Sequence, residues 1–193
     1  MREKILGTSV SPRFDLRVGA TEHEVRTILG LITLYHIWGF VEIGVHEGGL
    51  TEFLLGTFCE YLGIEINEKI VRQEIKDEAP IFGGRFVYGD CMSPEVVSEV
   101  ASFISSVGSP SIVYCDNGAK KEEIKVYSKI IPSGSILLTH DFTDGERKIR
   151  DIENYTFQEV NLQDIEFMEK DYSFQRLPEN ILKETRLVGW KKL

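Results

Sequence analysis

Phe40-Val41-Glu42-Ile43-Gly44-Val45-His46-Glu47-Gly48-Gly49-Leu50-Thr51 decides the fold. An apolar run from about Gly39 to Ile43 stops at Gly44, a short loop follows, and Gly48-Gly49 opens a helical pattern. A buried strand feeding a glycine turn and then a helix N-terminus is how α/β folds hold a nucleotide-like ligand. Gly44 has no Cβ and can take positive φ, so a ligand can lie against the backbone there. The spacing is Glu-x-Gly-x-x-x-Gly. It is neither the Gly-x-Gly-x-x-Gly of dinucleotide folds nor a phosphate loop ending in Gly-Lys-Ser/Thr. Glu42, at the strand end, would repel a diphosphate and attract a cation. The pattern therefore points to a positively charged ligand without phosphates.

Working outward, Thr21 with Glu24 three residues on predicts a capped helix over about 22–38, with Val25, Ile28, Leu29, Ile32 and Tyr35 on its apolar face. Strands are expected at about 39–43, 60–66, 85–88, 111–115 and 135–139. Helices between them are expected at about 49–58, 67–77, 94–107 and 120–131. Strict alternation with apolar strands predicts a parallel sheet covered on both faces. Further helices are expected near 144–153 and 160–170. The segments 172–177 and 185–192 then read as an antiparallel pair of strands. Trp38 and Trp190 read as packing residues.

At 193 residues one domain is expected, with residues 1–38 as an N-terminal arm and helix and 39–193 as the core. Hydrophobic residues at 42% and charged residues at 27% are an ordinary globular balance. A net charge of −9 argues against nucleic acid or an anionic membrane as the main partner. The sequence has no membrane-length apolar run, and its first residues lack the apolar core of a signal peptide. Cys59, Cys91 and Cys115 form no Cys-x-x-Cys and read as buried thiols in a reducing, cytoplasmic setting.

In such a sheet, ligands gather at the carboxyl ends of the strands. Every expected strand from the first to the fifth ends at or beside an acid: Glu42, Glu65, Asp90, Asp116 and, after His140, Asp141. Each also has a plainer reading. Asp90, Asp116 and Asp141 suit caps of the following helix or turn, Lys120 and Lys121 suit a charged helix face, and His46 suits a solvent-facing loop.

These residues resemble the class I S-adenosylmethionine-dependent methyltransferases over about residues 38–193. Val41-Glu42-Ile43-Gly44 through Gly48 looks like the first family motif, whose glycine loop meets the amino-acid part of the cofactor. Gly63-Ile64-Glu65-Ile66 looks like the second, where an acid binds the ribose hydroxyls. Gly89-Asp90-Cys91 looks like the third, beside adenine. The resemblance implies a Rossmann-like, doubly wound, mostly parallel seven-stranded sheet with a C-terminal antiparallel hairpin. It implies cofactor contacts from Glu42, Gly44, Gly48, Glu65, Ile66, Asp90, Cys91 and Asp116.

Asp116 after the fourth strand and His140-Asp141 after the fifth are similar to the cation-dependent O-methyltransferases, including the catechol, macrocin and cephalosporin-hydroxylase-like groups. That likeness implies a divalent cation, Mg²⁺ or Mn²⁺, at Asp116, His140 and Asp141. His140 stands where the family usually has a carboxylate, and imidazole favours Mn²⁺, Fe²⁺ or Zn²⁺ over Mg²⁺. Lys120 lies four residues after Asp116, where the catechol-type enzymes carry a candidate base lysine three residues after theirs. The catalytic set is thus Asp116, His140 and Lys120, with either a metal-activated hydroxyl or His140 as base. The expected reaction is O-methylation of a small molecule or sugar. The rival readings are an N-methyltransferase, a nicotinamide-binding oxidoreductase and a non-catalytic cofactor-binding module. The short arm and the segment near 142–160 are expected to cover the pocket, or a second subunit of a homodimer does so.

Overall fold

Glycines and acids end the apolar runs, so the strands stop where the site begins. A computed structural model describes residues 19–57, 59–108, 110–142, 159–171, 173–182 and 184–193. The helix expected near 144–153 and most of the expected pocket cover lie outside the described residues. Strands β1 (Gly39–Ile43), β2 (Glu60–Glu65), β3 (Gly84–Tyr88), β4 (Ser111–Cys115) and β5 (Ile136–Thr139) run parallel. Strand β7 (Val188–Lys192) is antiparallel to both β5 and β6 (Phe174–Arg176). The seven-stranded order is β3-β2-β1-β4-β5-β7-β6. The expected mostly parallel sheet with a C-terminal antiparallel pair is the one found.

Side chains alternate between two apolar layers along each strand, as the period of two requires. Phe40, Tyr61, Ile112, Tyr114 and Leu138 face one layer, which is covered by α1 (Glu22–Leu34) and α2 (Gly49–Leu54). Val41, Ile43, Leu62, Val113 and Leu137 face the other, under α4 (Pro94–Val107), α5 (Lys120–Ile130) and α6 (Leu162–Lys170). Each fully buried residue such as Ile28 or Leu31 contributes roughly 1.5–3 kcal/mol. The strand order reverses between β1 and β4, so a crevice opens above their carboxyl ends.

Gly44 stands at that switch point with φ +94°. A Cβ there would lie 2.7 Å from the Asp116 carbonyl oxygen, so only glycine lets the β1 and β4 ends approach this closely. The predicted helix over 67–77 is shorter. Helix α3 covers Gln73–Glu78, because the chain first runs extended through Arg72, whose N–H reaches the Glu47 carbonyl. Val71 then packs with Val45 and Ile75 beneath the glycine loop. Helix α2 ends early because the Thr57 amide and hydroxyl both take the Leu54 carbonyl. Helix α7 (Glu179–Leu182) is a single turn. Trp190 is buried as expected, with its indole N–H on Glu169, whereas Trp38 is 59% exposed. Trp38 precedes β1, at the end of the sheet opposite the crevice.

Candidate active site

A cleft of about 500 Å³ opens over the carboxyl ends of β1, β4 and β5. At one end its wall is Glu42, Gly44, His46 and Glu65; at the other it is Asp116, Lys120, His140 and Asp141. Sequence reading placed nearly all of these at strand ends, and the sheet brings them to one rim.

On the first side, the Glu65 carboxylate accepts the His46 N–H at 2.9 Å and the Asn67 N–H at 3.1 Å, one on each oxygen. Two backbone donors fix it, and each oxygen keeps acceptor capacity toward the cleft. His46 takes a left-handed φ of +53° to make its contact. Glu42 is buried, accepts the Thr51 hydroxyl at 2.9 Å and receives the Tyr61 O–H. Burial outweighs those bonds and pushes its carboxyl up to about 8. Among the described residues no positive group offsets this burial, so Glu42 favours its protonated form at neutral pH, rather than the fixed negative charge read from the sequence.

Four of the residues expected at the cofactor do not line the cleft. Gly48 is left-handed (φ +93°) and pressed against Ile75, so it shapes the loop from behind. Ile66 and Asp90 are exposed, and the Asp90 carboxylate accepts the Met92 N–H. Cys91 is buried behind Asn117, whose amide donates to its sulfur, and its carbonyl accepts the Tyr127 O–H. Asn117 lines the cleft in that position and was not foreseen. All three cysteines are free and buried.

The second side is a buried charge network. His140 Nδ1 lies 3.2 Å from Asp116 Oδ1 and 3.3 Å from Asp141 Oδ1, and its Nε2 lies 3.3 Å from Glu24 Oε2. Burial would lower the imidazole pKa, but the carboxylates of Asp116 and Glu24 overcome it and hold the ring protonated. Lys120 Nζ lies 2.6 Å from Glu159 Oε2, 3.1 Å from Asp141 Oδ2 and 3.5 Å from Asp116 Oδ1. Burial again opposes the charge, and Asp116 and Asp141 outweigh it. As placed, both His140 and Lys120 carry their protons, so neither stands ready as a free base. Burial would raise the Asp141 carboxyl, yet His140, Lys120 and Arg186 hold it far below the usual carboxylate range. Asp141 also has φ +56°, a conformation that aspartate tolerates better than most residues and that concentrates at functional sites.

Three members of this network were not read as site residues. Glu24, seen in the sequence only as half of a capping box, makes that box with Thr21 and also accepts Arg186 through its backbone N–H (2.6 Å) and its guanidinium. Arg186 donates on to Asp141 at 3.2 Å and to the Gly19 carbonyl at 2.9 Å. Glu159 reaches Lys120 because its N–H bonds the Asp141 carbonyl. The one available signal was a charge, Arg186, set directly before the apolar Leu187-Val188.

Asp116, His140 and Asp141 each offer one ligand atom, all within 4.8 Å of one another. Nε2 faces Glu24, which leaves Nδ1 on the side of the two aspartates. A carboxylate behind a ligating imidazole is the usual support of a metal-bound histidine. Once His140 gives up its Nδ1 proton, an oxygen, nitrogen, oxygen set of this kind fits a divalent cation, better Mn²⁺, Fe²⁺ or Zn²⁺ than Mg²⁺.

No protein-family model matches the sequence, and no curated protein matches it either. Solved structures do match. A structure of CmcI with SAH aligns at 14% identity over 96% of this chain and 82% of that one, with a TM-score of 0.60. The O-methyltransferase TomG from Streptomyces achromogenes, in complex with SAM, aligns at 12% identity over 92% and 82%, with a TM-score of 0.57. A structure of CmcI with Mg and SAM aligns at 17% identity over 66% of this chain, with a TM-score of 0.50. The chain spans 56% of that structure's length, and the same share of the CmcI apo structure. At these identities the likeness is one of fold alone: a mostly parallel seven-stranded sheet with an antiparallel C-terminal pair.

Proposed function

We propose that this chain, as a single domain, transfers the methyl group of S-adenosylmethionine to an oxygen of a small-molecule acceptor. The carrying observation is one cleft with two unlike ends. The fixed Glu65 carboxylate and the Gly44 turn stand at one, and the Asp116–His140–Asp141 group at the other. The solved O-methyltransferases of this fold, some with SAM or SAH, support the same reading. The nicotinamide alternative is not favoured, since a diphosphate would meet the Glu65 carboxylate. The three buried free thiols suit a reducing, cytoplasmic setting, and among the described residues no helix is long and apolar enough to cross a membrane.

In this reading Glu65 accepts both ribose hydroxyls through its remaining lone pairs. The Gly44 turn leaves room for the amino-acid portion against the backbone. Methyl transfer from a sulfonium is an in-line displacement, and holding donor and acceptor in line is worth up to roughly 7–11 kcal/mol. Asp116, His140 and Asp141 would hold a divalent cation, which supplies a lowered hydroxyl pKa and a fixed orientation when bound. Glu24 keeps the His140 ring aligned, and Arg186 keeps Asp141 aligned.

Calorimetry with S-adenosylhomocysteine, followed by a methyl-transfer assay on catechols and other hydroxyl acceptors, tests the proposal. No binding at high micromolar concentration removes it. Glu65→Ala is expected to weaken S-adenosylhomocysteine binding by about 1–3 kcal/mol, the scale of hydrogen bonds to a charged group. Unchanged affinity takes the ribose role away from Glu65.

Glu42 supplies a second test. Between its ordinary value of 4.5 and about 8 the folded chain holds a proton that the unfolded chain has lost. This group therefore makes stability fall as pH rises through that window. A ligand bringing positive charge beside Glu42 draws the proton off. Binding of S-adenosylmethionine at pH 7 should release protons, so its apparent enthalpy should differ between Tris and phosphate buffers, and less so in Glu42→Gln. Equal enthalpies in the two buffers for the wild type would mean that the positive charge docks elsewhere.

A further inference from the structure

We propose that the Lys120 ammonium is a built-in counter-cation of the candidate metal centre, which a divalent ion must displace in order to bind. The inference rests on the reading of Asp116, His140 and Asp141 as that centre. Lys120 begins α5 one helical turn after Asp116, and its side chain is only 4% exposed. Its Nζ touches both carboxylates of the ligand group, Asp141 at 3.1 Å and Asp116 at 3.5 Å. The Asp116 oxygen it meets, Oδ1, is the one that His140 Nδ1 also meets at 3.2 Å. The ammonium and the three ligand atoms therefore share one small space.

Geometry limits how far apart two cations can stay there. Oxygen ligands hold such ions at about 2.0–2.2 Å. An ion bonded to Asp116 Oδ1 then lies no more than about 6 Å from Nζ, given the 3.5 Å contact. That is inside the screening length of physiological salt, in a buried site where screening is weaker still. Two cations at this range repel while competing for the same lone pairs. The side chain has a place to retreat. Glu159, its nearest carboxylate at 2.6 Å, is not among the three ligand residues and is tied to the site through the Asp141 carbonyl. When an ion takes Asp116 and Asp141, the ammonium keeps Glu159 and gives up the other two.

This arrangement keeps the carboxylates together in the metal-free protein and sets a threshold for metal occupancy. Arginine at position 120 retains the opposing charge, and methionine removes it at similar length.

The test is Mn²⁺ binding to the full chain, read by electron paramagnetic resonance, for the wild type, Lys120→Met and Lys120→Arg. Lys120→Met should bind Mn²⁺ at least about tenfold more tightly than the wild type, and Lys120→Arg should not gain. Adding Asp141→Asn to Lys120→Met should abolish the gain. Equal or weaker binding by Lys120→Met, or no Mn²⁺ bound by any variant at millimolar concentration, overturns the proposal.

Should Lys120→Met not fold, the wild type alone decides. Reductive methylation with formaldehyde and cyanoborohydride, read at Lys120 by peptide mass spectrometry, should increase when saturating Mn²⁺ is added. Labelling that does not change overturns the proposal. S-adenosylhomocysteine calorimetry on the same preparations separates the two failures. Binding that persists without metal competition sinks only the counter-cation, and absent binding in the wild type sinks the methyl-transfer reading.

Discussion

Glu24→Ala is expected to lose about 3–5 kcal/mol of folding stability, the cost of leaving buried charges without their partner. In a chain of this size that lowers the thermal midpoint by roughly 6–20 °C. The carboxylate is fully buried and accepts from Thr21 N–H at 2.8 Å, from the Arg186 backbone and guanidinium, and from the protonated His140. It thus ties the start of α1 to the segment leading into β7 and to the end of β5. Removing it leaves a guanidinium and an imidazolium side by side, with only Asp141 and Asp116 left to offset them. Glu24→Gln keeps the shape and some of the bonds, so its loss should be smaller.

The pH dependence has a definite sign. Burial would raise the Glu24 carboxyl, but His140 and Arg186 hold it far below its ordinary 4.5. Its stabilisation is complete above about pH 4.5 and declines as pH falls toward the folded value. His140 behaves oppositely: its contribution is complete below its ordinary 6.5 and is lost as pH rises through its raised folded value. The gap between wild type and Glu24→Gln should therefore be full at pH 6 and shrink below about pH 4.5. Urea unfolding at several pH values reads it. A loss under about 1 kcal/mol for Glu24→Ala would mean that water or a neighbouring group replaces the carboxylate.

Glu24 also marks where sequence reading stops. Strands β1 and β4 and helix α4 fall where apolar runs and caps predict, because each is fixed by local pattern: a glycine after Ile43, Asp116 after Cys115, Ser93-Pro94 before α4. The residues at the strand ends were legible for the same reason, since a parallel sheet places all its carboxyl ends on one rim. The partners of those residues were not. Glu24 stands 162 residues from Arg186 and 116 from His140, and no periodicity links such positions. The protonation of His140 depends on Asp116 and Glu24, both far off in the chain, with a hydrogen bond from its neighbour Asp141. A sequence shows an imidazole near pH 7; the fold supplies the anions that keep it charged. Gly48, Asp90 and Cys91 show the converse. They occupy motif positions, yet none lines the cleft: Gly48 backs onto Ile75, Asp90 accepts the Met92 N–H, and Cys91 takes the Asn117 amide.

Asp116→Asn is expected to lower kcat by about 10³-fold or more, the rate equivalent of several kcal/mol of charge stabilisation at the reacting oxygen. The substitution is nearly isosteric, so the effect is on charge rather than shape. The Asp116 side chain meets Lys120 and His140 through Oδ1 and the Tyr114 O–H through Oδ2. Asparagine can still accept from Tyr114, and the backbone bond from residue 116 to the Ile43 carbonyl is untouched. The turn over Gly44, which depends on that backbone, should persist. S-adenosylhomocysteine affinity should therefore stay within about threefold of the wild type, since the binding energy assigned to Glu65 is unaffected. Loss of turnover with affinity kept is the pattern of an interaction made in the transition state. A parallel fall in both would place Asp116 at the cofactor instead, the other role its motif position implies. A variant within tenfold of wild-type kcat and of unchanged affinity would remove Asp116 from the chemistry, and the proton of the acceptor hydroxyl would then have to leave by a route independent of the β4 end.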